Sequence, residues 1–393
     1  MKAGWQTKML GEILQKTETT NPLQSPKIEF QYIDVSSVSN STFQIEETQT
    51  LNGKDAPSRA RRLVKTNDVL FATIRPTLRR IAVVPEHLDK QVCSTGYFVL
   101  RPKAEINYRF LFYWLFSDNF MGVMEQLQKG ASYPAVTDAE VRAQMIPFPS
   151  LPEQQRIVGI LDEAFDGIAT AKANAEKNLQ NARALFESHL QSVFTQRGEG
   201  WVVKKISEVA KHSLGKMLDK AKNKGELQPY LRNINVRWFN FDLSDLPQMP
   251  FLPSESDKYT AVKGDVLICE GGYPGRAAIW NEDYPVYFQK ALHRVRFHEP
   301  KHNKWFLYYL YVQDKSGELK QHFSGTGIQH FTGEVLARFE LPLSPLQELR
   351  RAVAKFDELA EETQRLESLY QRKLAGLDEL KKSLLHQAFS GVL

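Results

Sequence analysis

The sequence predicts an α+β chain in which one unit, an α/β-type globular domain followed by a long helix, is used twice. Three observations carry this: short motifs that return once at a nearly constant offset, two stretches with apolar residues at heptad spacing, and short β-like runs around one aromatic helix in each copy. The 393 residues are 42% hydrophobic and 25% charged, which fits globular domains with their own cores rather than a disordered chain.

The repeat organises everything else. Gly4-Trp5 and Leu10-Gly11-Glu12-Ile13 return as Gly200-Trp201 and Ile206-Ser207-Glu208-Val209. Asn67-Asp68-Val69-Leu70 returns as Gly264-Asp265-Val266-Leu267, and the aromatic run Asn107 to Tyr113 as Asn303 to Tyr309. Ile146-Pro147-Phe148 matches Leu341-Pro342-Leu343, 195 residues on; Leu161-Asp162-Glu163 matches Phe356-Asp357-Glu358, and Ser192-Val193-Phe194 matches Gln387-Ala388-Phe389. A repeat this long is a duplicated domain with its appendage, not a solenoid unit. The expected division is a first recognition domain over 1–150, a helix over 151–197, a second domain over 198–345 and a last helix over 346–393. Between the anchors the copies diverge, as expected of one scaffold with two surfaces.

In the first helical stretch the heptad sets are Ile157, Ala164, Ala171, Asn178, Leu185 and Leu161, Ile168, Ala175, Ala182, His189. In the second they are Phe356, Thr363, Tyr370, Leu377, Leu384 and Leu359, Leu366, Lys373, Leu380, Gln387. Each helix of about 45 residues would be about 65 Å long. An alanine-rich face buries little alone and a bulky face needs small residues opposite, so the two are expected to pair antiparallel within the chain as a coiled coil. Such pairing makes a rigid spacer with a pseudo-twofold axis and a globular domain at either end. Two readers on a spacer suit two short DNA sequences separated by a fixed gap, since DNA repeats one face about every 34 Å.

Each globular copy is expected to hold strands (Val69 to Ile74 and Ile81 to Val84; Val266 to Cys269 and Ala277 to Trp280) and one aromatic helix, about 107–120 and 303–314, read as core. Equivalent loops join those strands: Arg75-Pro76-Thr77-Leu78-Arg79-Arg80, and Glu270 to Arg276 with Tyr273 at its middle. Guanidinium groups on short loops suit the guanine O6/N7 pair or a phosphate, so Arg75, Arg79, Arg80, Tyr273 and Arg276 are candidates. A second pair of loops, Gly130 to Thr137 and Ser324 to Thr332, offers Ser132, Tyr133, Thr326, Gln329 and His330, with Thr137 and Thr332 as helix caps. Lys54, Arg59, Arg61, Arg62 and Lys65 form a basic cluster in the first copy; Lys258 and Lys263, or Lys220, Lys222 and Lys224 with Arg232 and Arg237, stand in for it in the second.

A net charge of +5 and a pI near 8.9 permit a polyanionic partner without requiring one. Cys93 and Cys269 have no zinc spacing, the first residues lack the apolar core of a signal peptide, and no run reaches the roughly 18 apolar residues of a membrane span, so a reduced, cytoplasmic protein is expected. Catalytic signatures are absent. There is no Asn/Asp-Pro-Pro-aromatic motif to hold a target base and no phosphate-binding P-loop, and Gly271-Gly272-Tyr273-Pro274-Gly275 lacks dinucleotide spacing. Asp314 and Glu318 make a poor nuclease pair, and the nine histidines show no metal spacing. The expectation is a non-catalytic DNA-binding chain with no metal or cofactor of its own.

The pattern resembles the specificity subunits of type I restriction-modification systems, the HsdS family. The likeness rests on Gly264-Asp265-Val266-Leu267-Ile268 with its Gly-Pro-Arg loop, and on Ile146-Pro147-Phe148-Pro149-Ser150-Leu151-Pro152-Glu153-Gln154-Gln155-Arg156-Ile157-Val158, a join between target-recognition domain and spacer helix. Leu341 to Arg350 is its degenerate twin. Asn67 replaces the family's Gly, and the second join lacks the Glu-Gln-Gln-Arg run. The resemblance implies a restriction system in which each domain reads half of a bipartite site on double-stranded DNA, while the helices set the gap and dock two methyltransferase (M) subunits. S-adenosylmethionine would serve those subunits, and ATP and Mg the translocase/endonuclease (R) subunits. The alternatives are the recognition subunit of another methylation-based defence system, a coiled-coil scaffold that binds only proteins, and, least favoured, an enzyme with an unrecognised site.

Overall fold

The computed structural model describes residues 4–219 and 222–393, which divide into two units: residues up to Ala175 with Gln371–Leu393, and Glu176–Tyr370. The units share one plan, so the duplication extends to topology.

In the first unit, the strand Val69–Ala72 is the centre of an antiparallel sheet between Ile81–Val83 and Tyr97–Leu100. Beside it a mixed sheet runs in the order Gln49–Asn52, Glu29–Ile33, Val92–Ser94, Ala60–Leu63, with Tyr32 parallel to Val92 and Ile33 to Cys93. In the second unit, Val266–Cys269 sits between Ala277–Ile279 and Leu292–Phe297, with Ala210–Leu214 on the far edge. Its mixed sheet runs Gln248–Phe251, Glu226–Leu231, Val286–Phe288, Thr260–Ala261, with Tyr230 parallel to Tyr287 and Leu231 to Phe288. The terminal strand of each copy, Gln6–Met9 or Val202–Lys205, pairs with the strand just before its long helix, Met145–Phe148 or Glu340–Leu343. Strands are slightly shorter than the apolar runs predict, because Ile74, Val84 and Trp280 lie past the last ladder pairs.

The repeated Asp explains itself. Asp68 and Asp265, 1% and 2% exposed, each accept the backbone N–H three residues earlier, from Lys65 and Val262 at 2.8 Å, and then clamp an arginine at the end of, or just past, the neighbouring strand. Arg101 reaches Asp68 at 2.9 and 2.8 Å; Arg296 reaches Asp265 at 2.7 and 2.6 Å. The residue before each Asp is left-handed, Asn67 at φ 67° and Gly264 at φ 95°. Asn is the non-glycine residue that best tolerates this conformation, so its replacement of Gly keeps the turn.

The aromatic helix is core in both copies, with Phe110, Leu111 and Trp114, or Trp305, Phe306 and Leu310, buried. The second copy forms one helix, His302–Ser316. The first does not: it breaks into Tyr108–Trp114 and Asp118–Leu127, because the Ser117 hydroxyl caps a new helix by accepting from Phe120 N.

The long helices are Leu151–Thr195 and Leu346–Ser390, 45 residues each. In the first unit Lys172 pairs with Asp378, and in the second Arg183 reaches Glu367 at 2.5 Å, so the helices run antiparallel in both. Ile157, Leu161, Ile168, Ala175 and Phe356 are buried, while Ala182, Leu359, Leu366, Tyr370, Leu377 and Leu384 are half-buried. The strict heptad reading fails elsewhere: Asn178, Leu185, Lys373 and Leu380 are exposed. A straight helix drifts about 20° per heptad, and towards Thr195 the buried side chains become Phe186, Leu190 and Phe194.

Each helix starts on its own globular domain and ends on the other copy's. Asp162 accepts from Arg109 at 2.6 Å and from the Tyr113 hydroxyl; Asp357 accepts from Lys304 at 2.6 Å and Tyr308 at 2.8 Å. At the far ends, Phe389 packs edge-on against Phe110 at 5.2 Å, and Phe194 lies tilted against Trp305 at 4.6 Å. Gln154, fully buried, accepts from Asn107 N at 2.8 Å and donates to Glu105 O and Pro149 O; Leu349 is the buried residue at the same place in the degenerate join.

Candidate nucleic-acid interface

In the first copy the sheet hairpin ends in a rigid tip. Pro76–Leu78 forms a single 3-10 turn, flanked by Arg75 and Arg79 in the left-handed region at φ 50° and 53°. Two arginines held there are uncommon, and such conformations persist only where neighbours enforce them. Those neighbours belong to the second loop: Arg75 N donates to Pro134 O at 2.6 Å and Val136 N to Thr73 O at 2.9 Å. The Arg75 guanidinium lies 4.9 Å from the Tyr133 ring and donates to Ser132 O at 3.1 Å. Tyr133 itself is 70% exposed, so one face of this stack is open.

Arg59, Arg75, Arg80 and Tyr133, together with Asp34, line a cleft of about 550 Å³. The structure thus brings together residues from four separate stretches of sequence. Arg80 is partly spent on structure, since it donates to Ser36 O at 3.2 Å and to Val38 O. Arg61 donates to Ala60 O, and Arg62 forms an ion pair with Asp138 at 2.7 Å. Lys65 is engaged by Glu18 at 2.9 Å. Among the described residues, the side chains of Lys54, Arg59 and Arg79 hold no hydrogen bond or ion pair; Lys54 and Arg79 lie outside the cleft.

The second copy builds the same kind of platform from different residues. Arg276 lies 4.9 Å from the Tyr273 ring, the distance found in the first copy, although here both residues come from the hairpin loop. Arg276 donates to Asn233 O at 3.1 Å, and Asn233 donates to Gly271 O at 3.0 Å, so the turn Asn233–Asn235 braces the hairpin as Val35–Ser37 does in the first copy. Phe331 N donates to Glu270 O at 2.8 Å and ties the second loop to the hairpin. That loop is closed by reciprocal Ser324 and His330 backbone bonds at 2.9 and 2.8 Å, leaving Thr326 and Gln329 exposed at its tip and His330 half-buried. Thr137 and Thr332 cap the helices that follow.

Several residues have other work. Arg232 pairs with Asp245 at 2.8 Å, Arg237 with Asp242 at 3.4 Å, Lys263 with Asp283 at 2.7 Å and Lys222 with Asp219 at 3.8 Å. Lys258 and Lys224 are exposed, and Lys220 lies outside the described residues. The Tyr273 hydroxyl reaches Asp314 at 3.3 Å; burial and then that carboxylate raise the phenol's pKa. Asn233 escaped the sequence reading because an amide that braces a loop through its own backbone has no spacing signature.

No group of three or more potential metal ligands occurs among the described residues, and no helix there is long and apolar enough to cross a membrane. Both cysteines are buried thiols; burial pushes Cys269 up to about 11 and Cys93 higher still.

Comparison with known proteins agrees with this architecture. A family model described as the type I restriction modification DNA specificity domain matches residues 2–180 and again 198–372. The HindI type I restriction enzyme specificity subunit of Haemophilus influenzae is 31% identical over 140 residues, 35% of this chain and 30% of that protein. The EcoDI specificity subunit of Escherichia coli is 25% identical over 148 residues, 37% of this chain and 31% of its own length. The aligned stretches therefore span about a third of these curated relatives. Among solved structures, a chain from a type I R-M system studied for complex assembly and conformational transition superposes with a TM-score of 0.85 at 28% identity, covering 99% of this chain and 98% of that one. The HsdS subunit from Thermoanaerobacter tengcongensis gives 0.69 at 29% identity, over 100% and 98%. With the specificity domain matched twice and the two-copy platform in place, the chain belongs to the family of type I restriction modification DNA specificity domains.

Proposed function

We propose that this chain is the DNA-binding specificity subunit of a type I restriction-modification complex, with residues 1–150 and 198–345 as two target-recognition domains that each read one half of a bipartite site. The observation that carries the reading is the platform built twice: a hairpin loop, a second loop and an arginine stacked on a tyrosine, on equivalent scaffolds with unlike side chains. An arginine held over an aromatic ring presents its fork with less entropy left to lose, which suits guanine edges or phosphate.

Lys54, Arg59 and Arg79 serve as phosphate contacts, and Tyr133, Thr326 and Gln329, exposed on the second loops, serve as base contacts. The helices set the gap and dock two methyltransferase subunits. Chemistry belongs to partners: S-adenosylmethionine to the methyltransferase, ATP and Mg to the translocase/endonuclease. The chain works in the cytoplasm and catalyses nothing itself.

Methylome sequencing tests this. A host carrying the chain with its methyltransferase partner gains an N6-methyladenine motif of two short halves around a fixed gap, absent with the partner alone, and exchanging residues 1–150 changes one half only. No new motif, with the partner active through another specificity chain, moves the reading to a protein-binding scaffold.

A further inference from the structure

The cleft of the first copy holds a carboxylate that a surface for polyanions has no reason to keep. Asp34 shares its lining with Arg59, Arg75 and Arg80, yet forms an ion pair with none of them. Two of those arginines are aimed elsewhere: Arg75 onto Ser132 O and the Tyr133 ring, Arg80 onto the Ser36 and Val38 carbonyls. Among the described residues the Asp34 carboxylate accepts a long hydrogen bond from the Tyr32 hydroxyl at 3.2 Å, which leaves acceptor capacity unused.

Its place is built. Asp34 follows the last residue of the parallel pair Ile33–Cys93 and opens the Val35–Ser37 turn that braces the hairpin, with its own N–H bound to the Ser37 hydroxyl at 3.0 Å. The second copy has Arg232 at that position, directly after the parallel pair Leu231–Phe288 and opening the Asn233–Asn235 turn. One scaffold position therefore carries an acceptor in one copy and a donor in the other.

We infer that Asp34 is a specificity-determining residue: it accepts a hydrogen bond from the exocyclic amine of a cytosine or adenine in the half-site read by the first domain. A carboxylate repels phosphate, and the groups a DNA edge offers it in the major groove are cytosine N4 and adenine N6. The inference rests on the DNA-recognition reading above and adds the residue and the class of base that it selects.

The test uses the complex of full-length chain and methyltransferase partner, probed with duplexes carrying the wild-type motif and its single-base variants. With Asp34→Ala, and with the similar-sized Asp34→Leu, which has no acceptor, as a second variant, discrimination at one base of that half falls about 5- to 100-fold, the range of a single base contact. The other bases of that half and all of the other half keep theirs. Discrimination is a ratio between sequences, so a smaller folded fraction does not move it. Unchanged ratios at every base, or a uniform loss on all sequences, overturn the inference while leaving bipartite recognition standing. A wild-type chain that confers no bipartite motif removes both.

Discussion

Asp68 and Arg101 form a two-armed ion pair closed off from solvent, at 2.9 and 2.8 Å, in which both side chains are nearly inaccessible. Without Asp68 the buried Arg101 keeps as partners only the Leu63 carbonyl and the half-exposed carboxylate of Glu18, which compensate its charge in part. Asp68→Ala is therefore expected to destabilise the first unit by about 3 kcal/mol. Asp265→Ala should cost less, because Arg296 is 42% exposed and water takes over its hydration. Denaturant titration of both variants checks the order; an equal or reversed order contradicts it.

Gln154 satisfies three backbone groups where the helix leaves the first domain, and Leu349 fills the same place in the second copy with hydrocarbon alone. Gln154→Leu should thus lower stability by about 2 kcal/mol by leaving buried backbone groups unpaired. The shift in unfolding midpoint measures it.

Phe194 lies on the helix that follows the first globular domain, but its ring rests on Trp305 and Phe356. Phe194→Ala is expected to destabilise the second unit by about 3 kcal/mol. Hydrogen exchange should accelerate within 198–345 and stay unchanged within 4–150.

His293 is buried in the middle of a sheet, opposite Leu214 and Ile268, and neither ring nitrogen finds a hydrogen-bond partner among the described residues. Burial, then nearby His212, lowers its pKa to about 4. The unfolded ring titrates near 6.5 and binds the proton that the folded ring refuses, so stability is full above about pH 6.5 and declines as pH falls towards about 4. The loss reaches about 3 kcal/mol, and His293→Leu should flatten that limb of the pH–stability curve. A limb of unchanged depth assigns it to other groups.

The Arg59 guanidinium lines the cleft without a partner among the described residues, and under the proposed function a phosphate contact there contributes to affinity without sequence. Arg59→Ala is expected to reduce the slope of log affinity against log salt by about 1 and to leave the methylated motif as it was. A changed motif would make Arg59 a base reader instead.

The duplication, the two long helices and their antiparallel pairing were legible because a repeated Asp162 or Phe194 keeps its meaning at any distance, and heptad spacing is local. What stayed hidden depends on neighbours remote in sequence. Nothing around Ser117 distinguishes a hydroxyl that caps a new helix from one that rides on an old one. Leu185 fits the heptad, yet Phe186 is the residue buried, because the helix end answers to the aromatic surface of Tyr308 and Tyr311 rather than to its partner helix. In the candidate interface, Arg62 and Arg232 read as free charges until Asp138 and Asp245 come beside them. Asp34 is silent in the sequence because a lone carboxylate carries no motif.

The crossed docking of the helix ends has a consequence for biosynthesis. The first unit includes Gln371–Leu393, with Leu385 and Ala388 buried in the same core as Phe110 and Leu111. On a ribosome the domain whose synthesis begins first is thus completed last: its apolar seat for Phe389 stays uncovered while some two hundred further residues emerge. A nascent chain halted before residue 371 would leave that seat bare to chaperones and proteases, so truncated products that still contain a whole first globular domain would be short-lived.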